Sequence, residues 1–473
     1  MRNNNYINSN KKTFFIVVKF ILLILIGAFF IYRLNSPLAN FIFYSFIFYR
    51  FIYSNNIIFW TAFLFILLNS PWGLFYYRPY EWYISLTPTV GISYLAMIGV
   101  VFMIKAHFFL KKYKFVLKDY FSSFYKPLGI FIIFLIIWSF AFGHSVVSIF
   151  NIIQYGTPFL LFFIVPILFN SFELLNFNKI IFLFSLFHFG GSAIEIIMPG
   201  SFMPMLFFGP PPTGISYSDD LIRFVGGITI HFYAMSIGLY YVTNKIKYFK
   251  NWYLWLVILL SYIFIINSAT RGWMISSSFL IFGYFIYNAF KINISIRTIV
   301  SFIIIIIILA LFIPNSFIRN IDAAFTRLET VEAIAAGDVT ADGSLSRLTE
   351  RGPRVLSKFS ESPIFGFGYS KISAEYFDGH VGNHNLLLMG GVIGFAIIWL
   401  TILFVVFYFF RLDVRFPSNG FFVFGLSIIA IMIIHSSSRS MVSYYMPADS
   451  AFLIALLFNH INAAIRVYPK YSE

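Results

Sequence analysis

Three groups of polar residues, each at the edge of an apolar stretch, could carry chemistry. The first is Asp378-Gly-His-Val-Gly-Asn-His-Asn385, which leads into an apolar run holding Gly390, Gly391 and Gly394. His380 and His384 stand four residues apart and would share one face of a helix. Two His at that spacing can hold zinc. Here no Glu lies between them and no third ligand accompanies them, so no metal is expected. A neutral imidazole at a membrane rim can instead take a proton from a hydroxyl. The competing reading for either His is a structural hydrogen bond. The second group is Arg347, Arg351, Arg354 and Lys358, whose spacing would make a basic stripe on a helix. Pro353 fits a first helical turn but not an interior, so the helix is expected to start near Gly352–Pro353, with Arg347 and Arg351 in its approach. Counting on to Lys371, the segment holds these cations against only Glu350 and Glu361. That excess suits an anion-facing patch, and a solvated helix face is the bland alternative.

The third group centres on Arg271, in Asn267-Ser-Ala-Thr-Arg-Gly-Trp273 at the junction of two apolar runs. A guanidinium presents a planar fork to phosphate or carboxylate, although an Arg at a helix end can also reach out to lipid headgroups. The small neighbours Ser268, Ala269 and Gly272 imply close packing and favour the first role. Arg223, with His231 deeper in the same run, and Arg439, in His435-Ser-Ser-Ser-Arg439 with Asp449 beyond, are further candidates. Arg78 and Glu81 sit among Trp and Tyr residues that read as an interfacial belt. Gly209-Pro-Pro-Pro-Thr-Gly214 reads as a stiff turn. His188 and Glu195 take no assignment.

The elements that must position these groups follow from composition. Of 473 residues 60% are apolar and 11% charged, and mean hydropathy is +0.84. A soluble domain carries about 25% charged residues. The absence of cysteine excludes disulfide scaffolds, thiolate metal sites and thiol nucleophiles. A membrane span needs about 20 mostly apolar residues. Candidates lie at 13–34, 38–53, 56–75, 83–104, 127–143, 146–171, 179–198, 222–242, 252–268, 272–290, 297–315, 384–410, 419–436 and 447–463. The first run is too long, and lacks the cleavage site, to be a cleaved signal peptide. The expected fold is all-α, a polytopic transmembrane helix bundle of about 12–14 spans with one large loop late in the chain. Residues 1–315 would form an N-terminal bundle, 316–383 the loop, partly helical, and 384–473 the C-terminal spans and tail.

Lys and Arg outnumber Asp and Glu by 33 to 18. With the N-terminus inside, the basic loops at 105–126, 243–251, 291–297 and 411–418 and the C-terminal tail all fall inside too. The only acidic residues there are Asp119, Glu173, Asp413 and Glu473. The net charge of +15 is therefore the positive-inside signal of a membrane protein and no sign of nucleic acid. The segments 76–82, 199–221, 316–383 and 437–446 then lie outside, with all three polar groups at the outer rim.

This pattern resembles the O-antigen ligase and O-antigen polymerase superfamily of bacterial glycan assembly. Ser268-Ala-Thr-Arg271 is similar to the Ser-Arg-type motif that opens a late span in that family. Arg347, followed by Pro363-Ile-Phe-Gly-Phe-Gly368, is similar to an Arg placed ahead of a Pro-φ-φ-Gly-φ-Gly element (φ apolar). The family's loop then closes with His, a small polar residue, a spacer and Gly-x-x-Gly, here Gly391-Val-Ile-Gly394. The spacing favours His380, where Val381 replaces the polar residue; His384-Asn385 matches the dipeptide with a shorter spacer. Val355 also replaces the Leu expected after Arg351.

The resemblance implies an inner-membrane glycosyltransferase with its active face periplasmic and both termini cytoplasmic. Its donor would be an undecaprenyl-diphosphate-linked oligosaccharide, and it would use no metal or cofactor. Arg271, Arg347, Arg351, Arg354, Arg223 and Arg439 would hold the diphosphate, with His380 or His384 at the acceptor hydroxyl. The acceptor is another lipid-linked repeat unit in a polymerase and lipid A core in a ligase. AT-rich coding, suggested by the Phe, Ile, Tyr, Asn and Lys content, leans towards the polymerase, for which a chain-length regulator would be a partner. A lipid-linked oligosaccharide flippase is the alternative of another class, but transporters gather charge at the membrane midplane, not on an outer loop.

Overall fold

The computed structural model describes residues 15–29 in part, 37–68, 83–87, 90–113, 122–143, 160–168, 171–199, 215–217, 222–224, 226–244, 248–290, 315–325 except 317, 350–415, 420–437 and 448–467. The expected span at 297–315, most of that at 146–171, and the polar segments 76–82 and 437–446 lie outside these residues, apart from single residues at their edges.

Helices dominate: α1 Pro37–Tyr53, α2 Ile57–Leu68, α3 Tyr94–Tyr113, α4 Ser122–Ser139, α5 Leu161–Leu168, α6 Ser171–Ile197, α7 Ile228–Thr243, α8 Asn251–Asn267, α9 Arg271–Phe290, α10 Gly352–Phe359, α11 Lys371–Tyr376, α12 Gly382–Arg415, α13 Phe422–Ser437 and α14 Ala448–Val467. Apolar runs of this kind adopt helix because every interior backbone group then finds its partner within the segment. Two short ribbons interrupt the pattern. Strands β1 Tyr83–Thr87 and β2 Val90–Ser93 pair with each other, as do β3 Ile215–Tyr217 and β4 Ile222–Phe224, the latter antiparallel with Ser216 opposite Arg223. Two expected spans, 83–104 and 222–242, thus begin as strand. The first turns to helix only at Tyr94, and the second only beyond Gly226-Gly227, at Ile228. Among the described residues two helices, Glu173–Ile197 and Gly382–Arg415, are long and apolar enough to cross a membrane, with mean hydropathy 1.9 and 2.7.

The chain forms two compact units. One comprises described residues of Met1–Ile84, Asn170–Thr270 and Phe285–Phe325; the other comprises those of Ser85–Phe169, Arg271–Tyr284 and Thr326–Glu473. The second draws on all three segments of the expected division. In the first unit, α7 packs against α8 and both against α6; α2 also packs against α6 and sets Phe65 against Phe177 of α6 and Tyr233 of α7. Helix α7 is buried from Ile228 to Tyr241, and its polar groups are matched: Tyr233 donates to Asn178 Oδ1 at 2.7 Å, and Asn178 Nδ2 donates to Tyr241 at 2.5 Å. Helix α1 is apolar on both faces. Phe43, Tyr44, Ile47 and Phe51 are buried, while Leu38, Phe41, Phe46 and Tyr49 are exposed on the opposite face.

In the second unit, α12 is the axis, packed against α4, α10, α11 and α13, while α5 packs against α14. Val392, Leu400, Phe404 and Phe407 give α12 an exposed apolar flank. Its 34 residues are two helices joined at Gly391, where φ is 63° and ψ −167°.

Candidate functional site

A helix broken in its interior exposes carbonyls on one side of the break and N–H groups on the other. Here the segment Pro363–Gly368 fills the break main chain to main chain. Phe367 and Gly368 donate N–H to the carbonyls of Leu388 and Met389 at 2.8 Å each; Val392 and Ile393 donate to Pro363 and Ile364 at 2.9 and 3.2 Å. So close an approach needs glycine. Gly366 and Gly391 have φ of 64° and 63°, and a Cβ on Gly391 would collide with the Ile364 carbonyl. Helix α4 braces the segment from outside. Trp138 Nε1 donates to the Gly366 carbonyl at 3.1 Å, and Ser139 Oγ accepts the Tyr369 N–H at 2.6 Å. Phe134 and Phe142 pack ring to ring on Phe365 and Phe367.

This frame fixes the two ends of a pocket. At one end α10 starts at Gly352 with Pro353 in its first turn. Its apolar side inserts Val355 into a cluster with Phe367, Val381 and Leu388, which turns Arg351 and Arg354 outward. At the other end is the turn 377–381. Asn385, fully buried on the first turn of α12, clamps it: Asn385 Nδ2 donates to the Asp378 carbonyl at 2.5 Å and its Oδ1 accepts the Asp378 N–H at 3.1 Å. Asp378 Oδ1 in turn accepts the His380 N–H at 2.9 Å, the Asx-turn bond that Asp-Gly sequences favour.

Between these ends lies a cavity of about 460 Å³, lined among the described residues by Glu350, Arg351, Arg354, Phe377, Asp378, Gly379 and His380. Its size falls in the range of small-molecule sites, about 300–1,000 Å³. The two guanidiniums straddle one carboxylate: Arg351 Nη1 stands 3.8 Å from Asp378 Oδ1 and Arg354 Nη2 3.8 Å from Oδ2. Both distances exceed hydrogen-bond range, so the N–H forks remain available to a ligand. The Arg351 and Arg354 side chains are 40% and 51% exposed and the Asp378 side chain 14%. Lys358 takes no part in the lining. It pairs with Glu361 at 2.6 Å and lies over the rings of Phe367 and Tyr376. The hydrogen bond to Glu361 raises its pKa above the usual lysine value.

The pocket thus gathers Arg351, Arg354 and His380. His384, on the first turn of α12, is not among the lining residues. Arg271 opens α9, half-buried, and also lies outside the lining. Arg223 occupies the middle of β4. Arg347, Arg439 and the Gly209–Gly214 turn lie outside the described residues. His435 is buried near the end of α13, its carbonyl against Gly382. Asp378, Asn385 and Glu350 stood in the sequence motifs without a role of their own, and Phe377 was passed over. Asp378-Gly379 carried the one local signal, an Asx turn ahead of His380. The charge balance differs from the count along the chain, because two Arg meet two acids in the lining. No group of three His, Cys, Asp or Glu side chains converges among the described residues. No protein-family model and no curated protein sequence matches the chain.

Proposed function

We propose that the chain is a membrane-embedded glycosyltransferase that joins lipid-diphosphate-linked glycan units, a polysaccharide polymerase of the O-antigen type. The observation that carries this reading is the pocket itself, in which two guanidinium forks and an imidazole converge on one cavity. The exposed apolar flanks of α1 and α12 support membrane embedding, since a soluble surface rarely shows contiguous apolar area of this kind. The basic inner loops support an inner-membrane orientation with the pocket on the periplasmic side. Arg271 supports an anionic substrate, because a cation at a helix N-terminus adds to the positive end of the dipole.

In the proposed reaction the acceptor hydroxyl oxygen attacks the anomeric carbon of the donor sugar. The bond from that carbon to the diphosphate oxygen breaks, and the lipid diphosphate leaves with the bonding pair. His380 takes the hydroxyl proton, while Arg351 and Arg354 meet the charge growing on the diphosphate. A flippase reading is less well supported. Broken helices in transporters offer unsatisfied backbone groups to the substrate, whereas those at Gly391 bond to Pro363–Gly368.

The test is the glycan ladder of a deletion strain complemented with Arg351→Ala/Arg354→Ala. The double variant should leave single-repeat lipopolysaccharide, as the deletion does. Unligated lipid-linked polymer in the deletion strain would make the chain a ligase acting on lipid A core. An unchanged ladder would sink both readings.

A further inference from the structure

The two guanidiniums share one carboxylate, and the way that carboxylate is held differs from the way they are. Asp378 is fixed on every side. Its N–H and carbonyl are clamped by the buried Asn385, and its Oδ1 accepts the His380 N–H. Arg351, just ahead of a short surface helix, and Arg354, in its first turn, have side chains 40% and 51% exposed and reach Asp378 only at 3.8 Å. A loose ion pair between one hydrogen-bonded partner and two exposed ones favours exchange. The cations can turn to another anion while the carboxylate stays where it is. An anion entering this cavity meets two cations already gathered, and one negative charge that competes for them.

We propose that Asp378 is a resident counter-ion, exchanged for the substrate's diphosphate when the pocket fills and restored when it empties. The inference rests on the proposed diphosphate role of Arg351 and Arg354 and adds a positioning residue to it. In the empty pocket Asp378 offsets the repulsion between the two guanidiniums and keeps both facing the cavity. In the filled pocket its fixed charge stands close to the diphosphate and weakens its hold. After transfer, the same charge helps the lipid diphosphate leave. Removing the charge should therefore tighten binding and slow release. A residue serving only as a structural cap would not do this.

The experiment measures binding of inorganic pyrophosphate to the purified full-length chain in nanodiscs. Asp378→Asn keeps an oxygen to accept the His380 N–H but loses the charge. It should bind pyrophosphate about tenfold tighter than the wild type, and in the transfer assay both KM and kcat should fall. Asp378→Glu should restore wild-type affinity. Glu375→Gln removes a charge from the exposed face of α11, outside the lining, and should change affinity by less than about threefold. If Arg351→Ala/Arg354→Ala abolishes binding while Asp378→Asn leaves it unchanged or weaker, the diphosphate reading stands and the exchange is wrong. Equal effects of Glu375→Gln and Asp378→Asn would reduce the result to general charge and also overturn the exchange. If the double Arg variant binds as the wild type does, the diphosphate reading fails, and the exchange with it. Failure of both Asp378→Asn and Asp378→Glu to fold would make the residue a structural cap and overturn the proposal.

Discussion

The molecule contains two histidine constellations in opposite surroundings. In the first unit, His188 Nδ1 and His231 Nε2 lie 3.0 Å apart, and His231 Nδ1 lies 3.2 Å from Ser261 Oγ. Phe264 stacks on His231 at 3.9 Å and Phe184 on His188 at 6.1 Å. The two imidazoles are 0–2% exposed. In the second unit, His380 sits on an open turn beside two loosely paired guanidiniums. In the first pair three of the four ring nitrogens make these contacts and the ring faces are covered, so it holds helices α6, α7 and α8 together. The second faces a cavity, with its two guanidiniums beyond hydrogen-bond distance of Asp378. A cavity beside the polar groups, more than residue type, separates a site from a core.

The comparison can be broken most severely at the frame beneath His380. Gly391→Val puts a branched Cβ at positive φ against the Ile364 carbonyl and should cost more than about 4 kcal/mol. It should be seen as loss of folded protein on size exclusion in detergent. A folded variant with an unchanged melting temperature would mean that the interlock does not hold the pocket. Next in size, His380→Ala should lower transfer about 100-fold or more while leaving the melting temperature within a degree or two. His231→Ala should do the reverse: about 2–4 kcal/mol of stability lost to a buried cavity and a broken hydrogen-bond chain. Whatever fraction stays folded should transfer at a nearly normal rate. A crossing of these two effects, with His231→Ala inactive but stable, would turn the comparison around.

The smallest effect is expected at Lys358→Gln. The Lys358–Glu361 bond raises the lysine pKa, so its contribution is complete below the ordinary lysine range and is lost only as pH rises through the higher folded value. Melting curves of this variant and the wild type should therefore keep a constant, small separation from about pH 6 to about pH 9. A separation that opens within that window would assign Lys358 a role in the pocket's charge balance.

Much of the helical content was legible, because long apolar runs without Pro or Gly have few other ways to satisfy their backbone. The start of α10 was legible from Gly352-Pro353 for the same local reason. The ribbons at 83–93 and 215–224 were not. A few apolar residues read the same as strand or as the first turn of a span. The motifs Pro363–Gly368 and Gly391–Gly394 stood out as patterns, but their physical role did not. Their partners lie far apart in the chain, and the bonds between them are backbone bonds that no side chain announces. The pocket's charge was misjudged for a related reason. A window along the chain counted Lys358, which folds back onto Glu361, and missed Asp378, which arrives from the next turn.

The interlock at Gly391 has a consequence for how far this molecule can vary. Its four bonds run between peptide groups, so apart from Gly366, Gly368 and Gly391 the residues that make it can change identity, proline excepted, without losing one. The walls of the cavity belong to neighbouring turns that the interlock merely carries. A mounting indifferent to its own side chains leaves Phe377, Glu350 and the arginines free to be recut for a different ligand, with no retooling of the joint that holds them.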